Sequence, residues 1–301
     1  MYFCIFSYNR GQFLQNCVRS IEQCSPGADI LIFDDQSTDE ETVRILDSLS
    51  SKYQVVIADA SYTLAHKCGG LYANMQHALS LVPESELICY LQDDTQVVRA
   101  LDDKDLEDIH HFFSANDKAV FLQPAFLRGA DRARNERITV YDEAHRAYFR
   151  EHSTQSVGLY FSAISIAHVG RLKAYQWQFS TKEKENEANA RAQFAHMGFM
   201  KNPILMWLPS VPAYRGKVKT LALSLAEKYR NCGFYPFQTM SAEEIRRFRE
   251  RSPSVLPVAE DFLSVDATDI TVPWITHPLQ GSSFLKMLNR IELRAKKLAE
   301  K

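Results

Sequence analysis

Four short apolar runs in the first hundred residues, each closed by polar residues and separated by segments of helical period, leave this chain few folds to adopt. Tyr2 to Ser7 is continuous and apolar and ends in Ser7-Tyr8-Asn9-Arg10-Gly11. Asp29 to Phe33 closes on Asp34-Asp35, Gln54 to Ile57 forms a third run, and Leu87 to Leu91 closes on Gln92-Asp93-Asp94-Thr95. Between them, Leu14, Val18 and Ile21, and later Leu71, Met75, Ala78 and Val82, recur on one helical face. Ser37 with Glu40, and Thr38 with Glu41, have the spacing of a capping box and predict a helix start. Strands alternating with helices imply right-handed crossovers, hence an α/β fold with a mainly parallel sheet flanked by helices.

Beyond residue 100 the pattern loosens. Ala119–Gln123, Gly158–Ile164 and Ile204–Leu208 read as strands, a polar helix covers roughly Lys182–Met197, and Val218–Tyr229 reads as amphipathic. Tyr175, Trp177 and Phe179 alternate with glutamines at the period of a half-buried strand. Arg128, Arg132, Arg134 and Arg137 crowd a loop-like segment, a solvated face first and an anion clamp for an acidic or phosphorylated acceptor second. His110-His111 reads as solvated, and His277 precedes Pro278 in a late loop.

The charge balance narrows the partners. A net charge of −2 excludes a generally basic nucleic-acid binder, but residues 1–100 hold six Lys/Arg against thirteen Asp/Glu, about −7, and the remainder 29 against 24, about +5. None of the six cysteines forms a C-x-x-C pair, which argues against a zinc ribbon or redox motif. No secretory signal opens the chain and no apolar stretch reaches the ~18 residues of a membrane span, so a reducing, cytoplasmic location is expected.

Ligands of an open parallel sheet bind beyond the carboxyl ends of its strands. Three such ends carry Ser7-Tyr8-Asn9, Asp34-Asp35 and Asp93-Asp94. Two acidic pairs side by side repel unless a cation or a hydrogen-bonding ligand lies between them, and carboxylate oxygens suit Mg²⁺ or Mn²⁺ shared with substrate phosphates. The G-x-G-x-x-G of a dinucleotide fold, the P-loop and the Gly-rich loop of a sugar nucleotidyltransferase are all missing.

Phe6-Ser7-Tyr8-Asn9-Arg10, Asp34-Asp35-Gln36-Ser37-Thr38-Asp39 and Gln92-Asp93-Asp94 resemble the motifs of family 2 glycosyltransferases, which have the GT-A fold. The resemblance covers residues 1–100 specifically, is weaker over about 155–210 and is absent from about 230 onward. It implies a catalytic domain over 1–230, with a nucleotide-sugar half (1–100) and an acceptor half (101–230), followed by an extension, 231–301. It further implies inverting transfer from a nucleotide-diphosphate sugar, most simply UDP-linked, to a hydroxyl of a glycan or lipid-linked acceptor, in surface polysaccharide or glycolipid synthesis. Ser7, Tyr8 and Asn9 would line the nucleotide, Asp35 its base or ribose, and Asp94 the Mn²⁺ or Mg²⁺ ion. Gln92 stands where many members have the first carboxylate of D-x-D, so Asp93 is left as a second metal ligand or a ribose partner. Arg215, after a predicted strand, would reach the departing diphosphate.

Family members usually carry the general base in a Glu-Asp pair about eleven residues before a glycine. Counting back from Gly198 gives Glu187, whereas aligning on Arg191 gives Glu185; the two lie about 200° apart on a helix, so one of them faces the cleft. Two readings of another class stay open: a non-catalytic nucleotide-sugar or partner-binding module, and a sugar nucleotidyltransferase. Residues 282–301 hold six basic and two acidic side chains, with Phe284, Leu288, Ile291 and Leu298 on one face. Such a helix either docks on protein, a dimer partner included, or lies on an anionic membrane.

Overall fold

The computed structural model describes residues 1–58, 70–151, 158–213, 219–267 and 269–299. Its first half follows the alternation: β1 (Tyr2–Ser7), α1 (Gly11–Cys24), β2 (Asp29–Asp34), α2 (Glu40–Ser50), β3 (Gln54–Ile57), α3 (Leu71–Leu81) and β4 (Leu87–Gln92). The four strands lie parallel in the order β3-β2-β1-β4. Covered on both faces, β1 and β4 bury every residue but one at an end, which is why they read as unbroken apolar runs. α1 buries Leu14, Cys17, Val18 and Ile21 against the sheet, at about 1.5–3 kcal/mol for each large side chain fully buried. At its first turn a Cβ on Gly11 would stand 2.9 Å from the Thr42 backbone. Only glycine lets α1 and α2 approach this closely.

The chain continues through β5 (Thr95–Val97), α4 (Asp103–Ser114), β6 (Phe121–Gln123), α5 (Arg132–Ile138), β7 (Thr139–Asp142), β8 (Ala147–Arg150), β9 (Ser165–His168), α6 (Val169–Ala174), α7 (Glu183–Gln193), β10 (Gly198–Met200) and β11 (Leu205–Trp207). The main sheet extends from β4 in the order β9-β6-β10-β8-β7. β9 is antiparallel to both β4 and β6, β10 runs with β6, and β8 opposes β10 and β7. Among the described strands, then, β8 and β9 run against the other seven of the nine. Separate apolar clusters fill the two faces, one with α1, α2 and α4, the other with α3, α6 and α7.

Several sequence expectations are corrected here. Residues 158–164 are loop, and the strand is the next segment, β9. Trp177 is buried against Phe121 and Phe194, yet residues 175–180 form no strand, so the alternation there belongs to an extended loop packed on the core. The Arg-rich segment is a short 3₁₀ turn and α5, not a loop. The hairpin of β7 and β8 was not foreseen.

β5 and β11 pair as a separate two-stranded ribbon beside the Asp93-Asp94 turn. Behind it Arg99, fully buried, gives Nη1 and Nη2 to both oxygens of Asp105 at 2.7 and 2.8 Å and Nε to the Pro203 carbonyl at 2.8 Å. Replacing Arg99 with Met leaves Asp105 paired with Arg249 alone, at 2.7 Å, and strands several carbonyls, and we expect a loss of about 2–3 kcal/mol of stability, read as a lowered urea midpoint.

Beyond β11 the chain carries α8 (Leu221–Tyr229), α9 (Ala242–Glu250), α10 (Ala259–Phe262) and α11 (Ser283–Ala299). Phe237, Met240, Phe248 and Trp274 share one apolar cluster with Phe13, Val98, Phe126 and Leu208, so this region packs into the body of the protein. α11 docks on α8 through Leu285, through Asn289 to Thr220, and through Glu292, which accepts the Leu221 and Ala222 amides at 2.6 and 3.0 Å. Phe284, Met287, Ile291 and Leu298 stay exposed on the remaining surface. No helix among the described residues is long and apolar enough to cross a membrane.

Candidate active site

The polar ends of β1, β2 and β4 converge as the parallel register requires. Asn9 takes a left-handed turn (φ 50°), and its Oδ1 accepts the Thr38 and Asp39 amides at 2.7 and 3.0 Å. Asp34 accepts the Ser37 amide and hydroxyl, both at 2.6 Å. Asn9 and Asp34 therefore shape the two loops with their side chains, and Asn9 is engaged by protein rather than open to a nucleotide. Ser7 is buried at the end of β1, opposite Asp34 in register.

Asp35 and Asp94 are different. Asp35 Oδ2 accepts the Gly70 amide at 2.7 Å, while its buried Oδ1 has no hydrogen-bond partner among the described residues. A Cβ on residue 70 would stand 2.2 Å from that oxygen, so glycine is needed for the turn to close on Asp35. Burial raises the Asp35 carboxyl above its ordinary range against the pull of the Gly70 amide. Asp94 Oδ2 receives Arg10 Nη1 at 2.6 Å, and its Oδ1 is again buried without a partner among the described residues. The Asp94 backbone is fixed by the Leu208 amide, which donates to its carbonyl at 2.9 Å. Asp93 is occupied on both oxygens, by Arg10 at 3.3 Å and by the Tyr8 amide at 3.2 Å. Burial raises Asp93, Arg10 draws it back, and the charge of Asp94 pushes it up again.

Tyr8 and Asp93 thus meet each other through the Tyr8 backbone, and Arg10 bridges the two aspartates. Among the described residues no three His, Cys, Asp or Glu side chains gather as a metal cluster. Arg215 lies outside the described residues. His277 Nδ1 accepts the Leu279 amide within its own loop.

Across the cleft the two expected bases are placed elsewhere. Glu187 is buried and accepts the Leu159, Tyr160 and Phe161 amides at 3.2, 3.2 and 2.9 Å, so it ties α7 to the loop before β9. Glu185 points to solvent and pairs with Lys182 at 2.6 Å. Asn186, in the position of the family's glutamate, exchanges hydrogen bonds with Ser180 at the helix entrance. Glu183, the first residue of α7, is among the described residues the carboxylate that lines both cavities of the cleft. It lines two adjoining cavities of about 300 and 280 Å³ together with Arg128, Ser162 and Trp207. The smaller cavity also holds Leu71, Tyr72 and Gln92, at the starts and ends of α3 and β4. Glu183 is exposed on its helix, and burial, followed by the charge of Glu187, raises its pKa. Its place at the opening turn of the helix gives no signal in the sequence, because an acidic residue is expected there on dipole grounds alone.

The family model for glycosyl transferase family 2 matches residues 2–172. No curated protein matches. Among solved structures, similar chains include TarS 1–349 of S. aureus (13% identity, 68% of this chain and 59% of that one, TM-score 0.45). Others are the mannosyltransferase PcManGT of Pyrobaculum calidifontis in complex with GDP-Man and Mn²⁺ (11%, 99% and 75%, TM-score 0.47) and galactosyltransferase LgtC with donor and acceptor sugar analogs (11%, 82% and 100%, TM-score 0.43). The chain thus spans 59% of the length of the TarS structure.

Proposed function

The chain belongs to glycosyl transferase family 2, and from that premise we propose that it moves a sugar from a nucleotide-diphosphate donor, UDP-linked, to a hydroxyl acceptor with inversion. The observation that carries this reading is the pair of buried, unpartnered carboxylate oxygens, Asp35 Oδ1 and Asp94 Oδ1, at the carboxyl ends of strands flanking β1. Buried acceptors without donors call for a ligand that brings them. Asp35 suits a nucleobase or ribose donor group, with Tyr8 and the Ser7 end of β1 alongside.

Asp94 suits a divalent cation. One unengaged carboxylate oxygen is a thin protein ligand set, which fits an ion that takes the rest of its shell from water and the donor's diphosphate. Bound there, Mn²⁺ or Mg²⁺ supplies positive charge to the departing diphosphate. Arg10 adds a fixed positive charge to the same aspartates, and Asp93 holds Arg10 and the Tyr8 turn in place. Glu183 takes the proton from the acceptor hydroxyl, and its raised pKa matches a base working nearer neutrality than an ordinary glutamate.

The location we propose is the cytoplasm, where the buried free thiols Cys4, Cys17, Cys24 and Cys89 remain reduced. The exposed stripe Phe284–Met287–Ile291–Leu298, beside Arg290 and Arg294, supports contact with an anionic membrane bearing a lipid-linked acceptor.

Thermal shift with UDP-, GDP-, CMP- and dTDP-sugars, with and without Mn²⁺, tests the donor. We expect stabilisation by UDP-sugars that needs the metal, about 2.7 kcal/mol at a hundredfold excess over the dissociation constant. Slow donor hydrolysis marks an enzyme rather than a binding module, and pyrophosphate release marks a nucleotidyltransferase. A flat response to every sugar nucleotide sinks the proposal.

A further inference from the structure

Beside Glu183 the larger cavity changes character. Its wall carries Arg128 from the turn before α5, Arg134 from α5 and Arg150 from the end of β8. Arg128 is answered by Asp131, Nη2 to Oδ2 at 2.6 Å. The other two are not answered by any carboxylate among the described residues. Among the described residues, Arg134 Nη2 and Arg150 Nε are buried without a hydrogen-bond partner, and so is the neighbouring Asn135 Nδ2. Arg150 reaches the Asn135 Oδ1 through Nη2 at 3.1 Å, and its guanidinium lies 4.2 Å over the Phe199 ring.

All three orphaned atoms are donors. A water molecule accepts hydrogen bonds but leaves two guanidinium charges uncompensated, whereas an oxyanion supplies acceptor lone pairs and charge together. Burial, and next the charge of Arg134, lowers Arg150 to about 10, so the empty-handed cation is already disfavoured there. The acidic side chains on the cavity wall are Asp131, held by Arg128, and Glu183 at the far end. The two cavities meet at Glu183, with Gln92 and the nucleotide-side strand end on one side and the arginines on the other.

We propose that Arg134, Arg150 and Asn135 seat an oxyanion, phosphate or carboxylate, carried by the acceptor, so that a hydroxyl of the same molecule meets Glu183. This rests on the glycosyl-transfer reading of the cleft. A cavity of about 300 Å³ admits a sugar- or polyol-sized unit bearing one such group. The anion fixes the acceptor's orientation, and the hydroxyl it presents is then set by distance rather than by contacts to each hydroxyl in turn. The arginines are specificity-determining and take no part in the proton transfer.

The test uses the full chain and three small ligands at constant ionic strength: glycerol 3-phosphate, glucuronate and uncharged glycerol. Apparent affinities come from thermal shift for the wild type, Arg134→Gln and Arg150→Lys. We expect one of the two anions to bind and glycerol not to; glycerol 3-phosphate points to a phosphorylated acceptor and glucuronate to an acidic sugar. Arg134→Gln is expected to weaken that anion about tenfold or more, with an unchanged ligand-free melting temperature, because Arg134 is half-exposed on α5. Arg150→Lys, which keeps charge but loses the fork, falls between. Failure of both anions on the wild type overturns the proposal, as does an Arg134→Gln protein of unchanged affinity. So does selective weakening of nucleotide diphosphate by Arg134→Gln, which makes the pocket part of the donor site. If the anion binds through Arg134 while no sugar nucleotide binds anywhere, the glycosyl-transfer reading falls and the anion site stands.

Discussion

Replacing Glu183 with Gln is expected to lower turnover by roughly two to four orders of magnitude, the usual contribution of a positioned base, while leaving metal-dependent donor binding intact. The argument rests on place and charge. Glu183 is the acidic side chain common to both cavities, and its walls and the neighbouring Glu187 make its ionised form costly. Its folded-state pKa is raised, so the ionised site weighs against the fold above that pKa, and stability attributable to the neutral form is lost as pH rises through it. Glu183→Gln removes that cost, and its melting temperature at neutral pH should therefore not fall. In the wild type, turnover should rise with pH across a limb that lies above the range of an ordinary glutamate. Glu187→Gln is the contrasting case. Its carboxylate accepts three backbone amides, and an amide in its place turns a donor toward them, costing roughly 3 kcal/mol. Near-normal turnover in Glu183→Gln, measured as donor consumption at saturating acceptor, would refute the assignment.

Asp94→Asn is expected to cost about three orders of magnitude in transfer, equivalent to about 4 kcal/mol of charge stabilisation lost from the departing diphosphate. The side chain keeps its shape, so the loss reads out charge. Chelation supplies the second arm. EDTA should bring the wild type down to the level of Asp94→Asn and leave the variant where it is, because two perturbations of one interaction do not add. A wild-type protein indifferent to EDTA overturns the metal's role and leaves Arg10, 2.6 Å from Asp94 Oδ2, as the cation of the site.

The nucleotide side of the cleft was legible because parallel strands buried on both faces write themselves as apolar runs, and a polar residue at the end of such a run has one place to go. Ser7, Asp34-Asp35 and Asp93-Asp94 follow from this. Their division of labour does not: nothing in Asn9 or Asp34 announces that protein amides will take their oxygens, whereas Asp35 and Asp94 each keep one free. The base we propose, Glu183, differs from the expected Glu187 and Glu185 for a register reason. Glu183 and Glu187 are one turn apart on α7, and counting back from Gly198 cannot tell which turn faces the loop at 159–161 and which the cleft. The β7–β8 hairpin escaped because its connection, Glu143-Ala144-His145-Arg146, has no glycine or Asn-Gly signal; Arg146 itself adopts φ 50°. With that hairpin unseen, Arg150 could not be brought beside Arg134.

Glu292 caps a helix that is not its own. By accepting the first free amides of α8 from 71 residues downstream, it makes the N-terminal turn of that helix depend on whether α11 is docked. The apolar cluster between them is small, made of Ala213, Leu223, Ala226 and Leu279 with Leu285 against it. The two helices therefore open and close as one cooperative unit, separable from the sheet, and hydrogen exchange at the Leu221 and Ala222 amides reports how long the last helix stays seated.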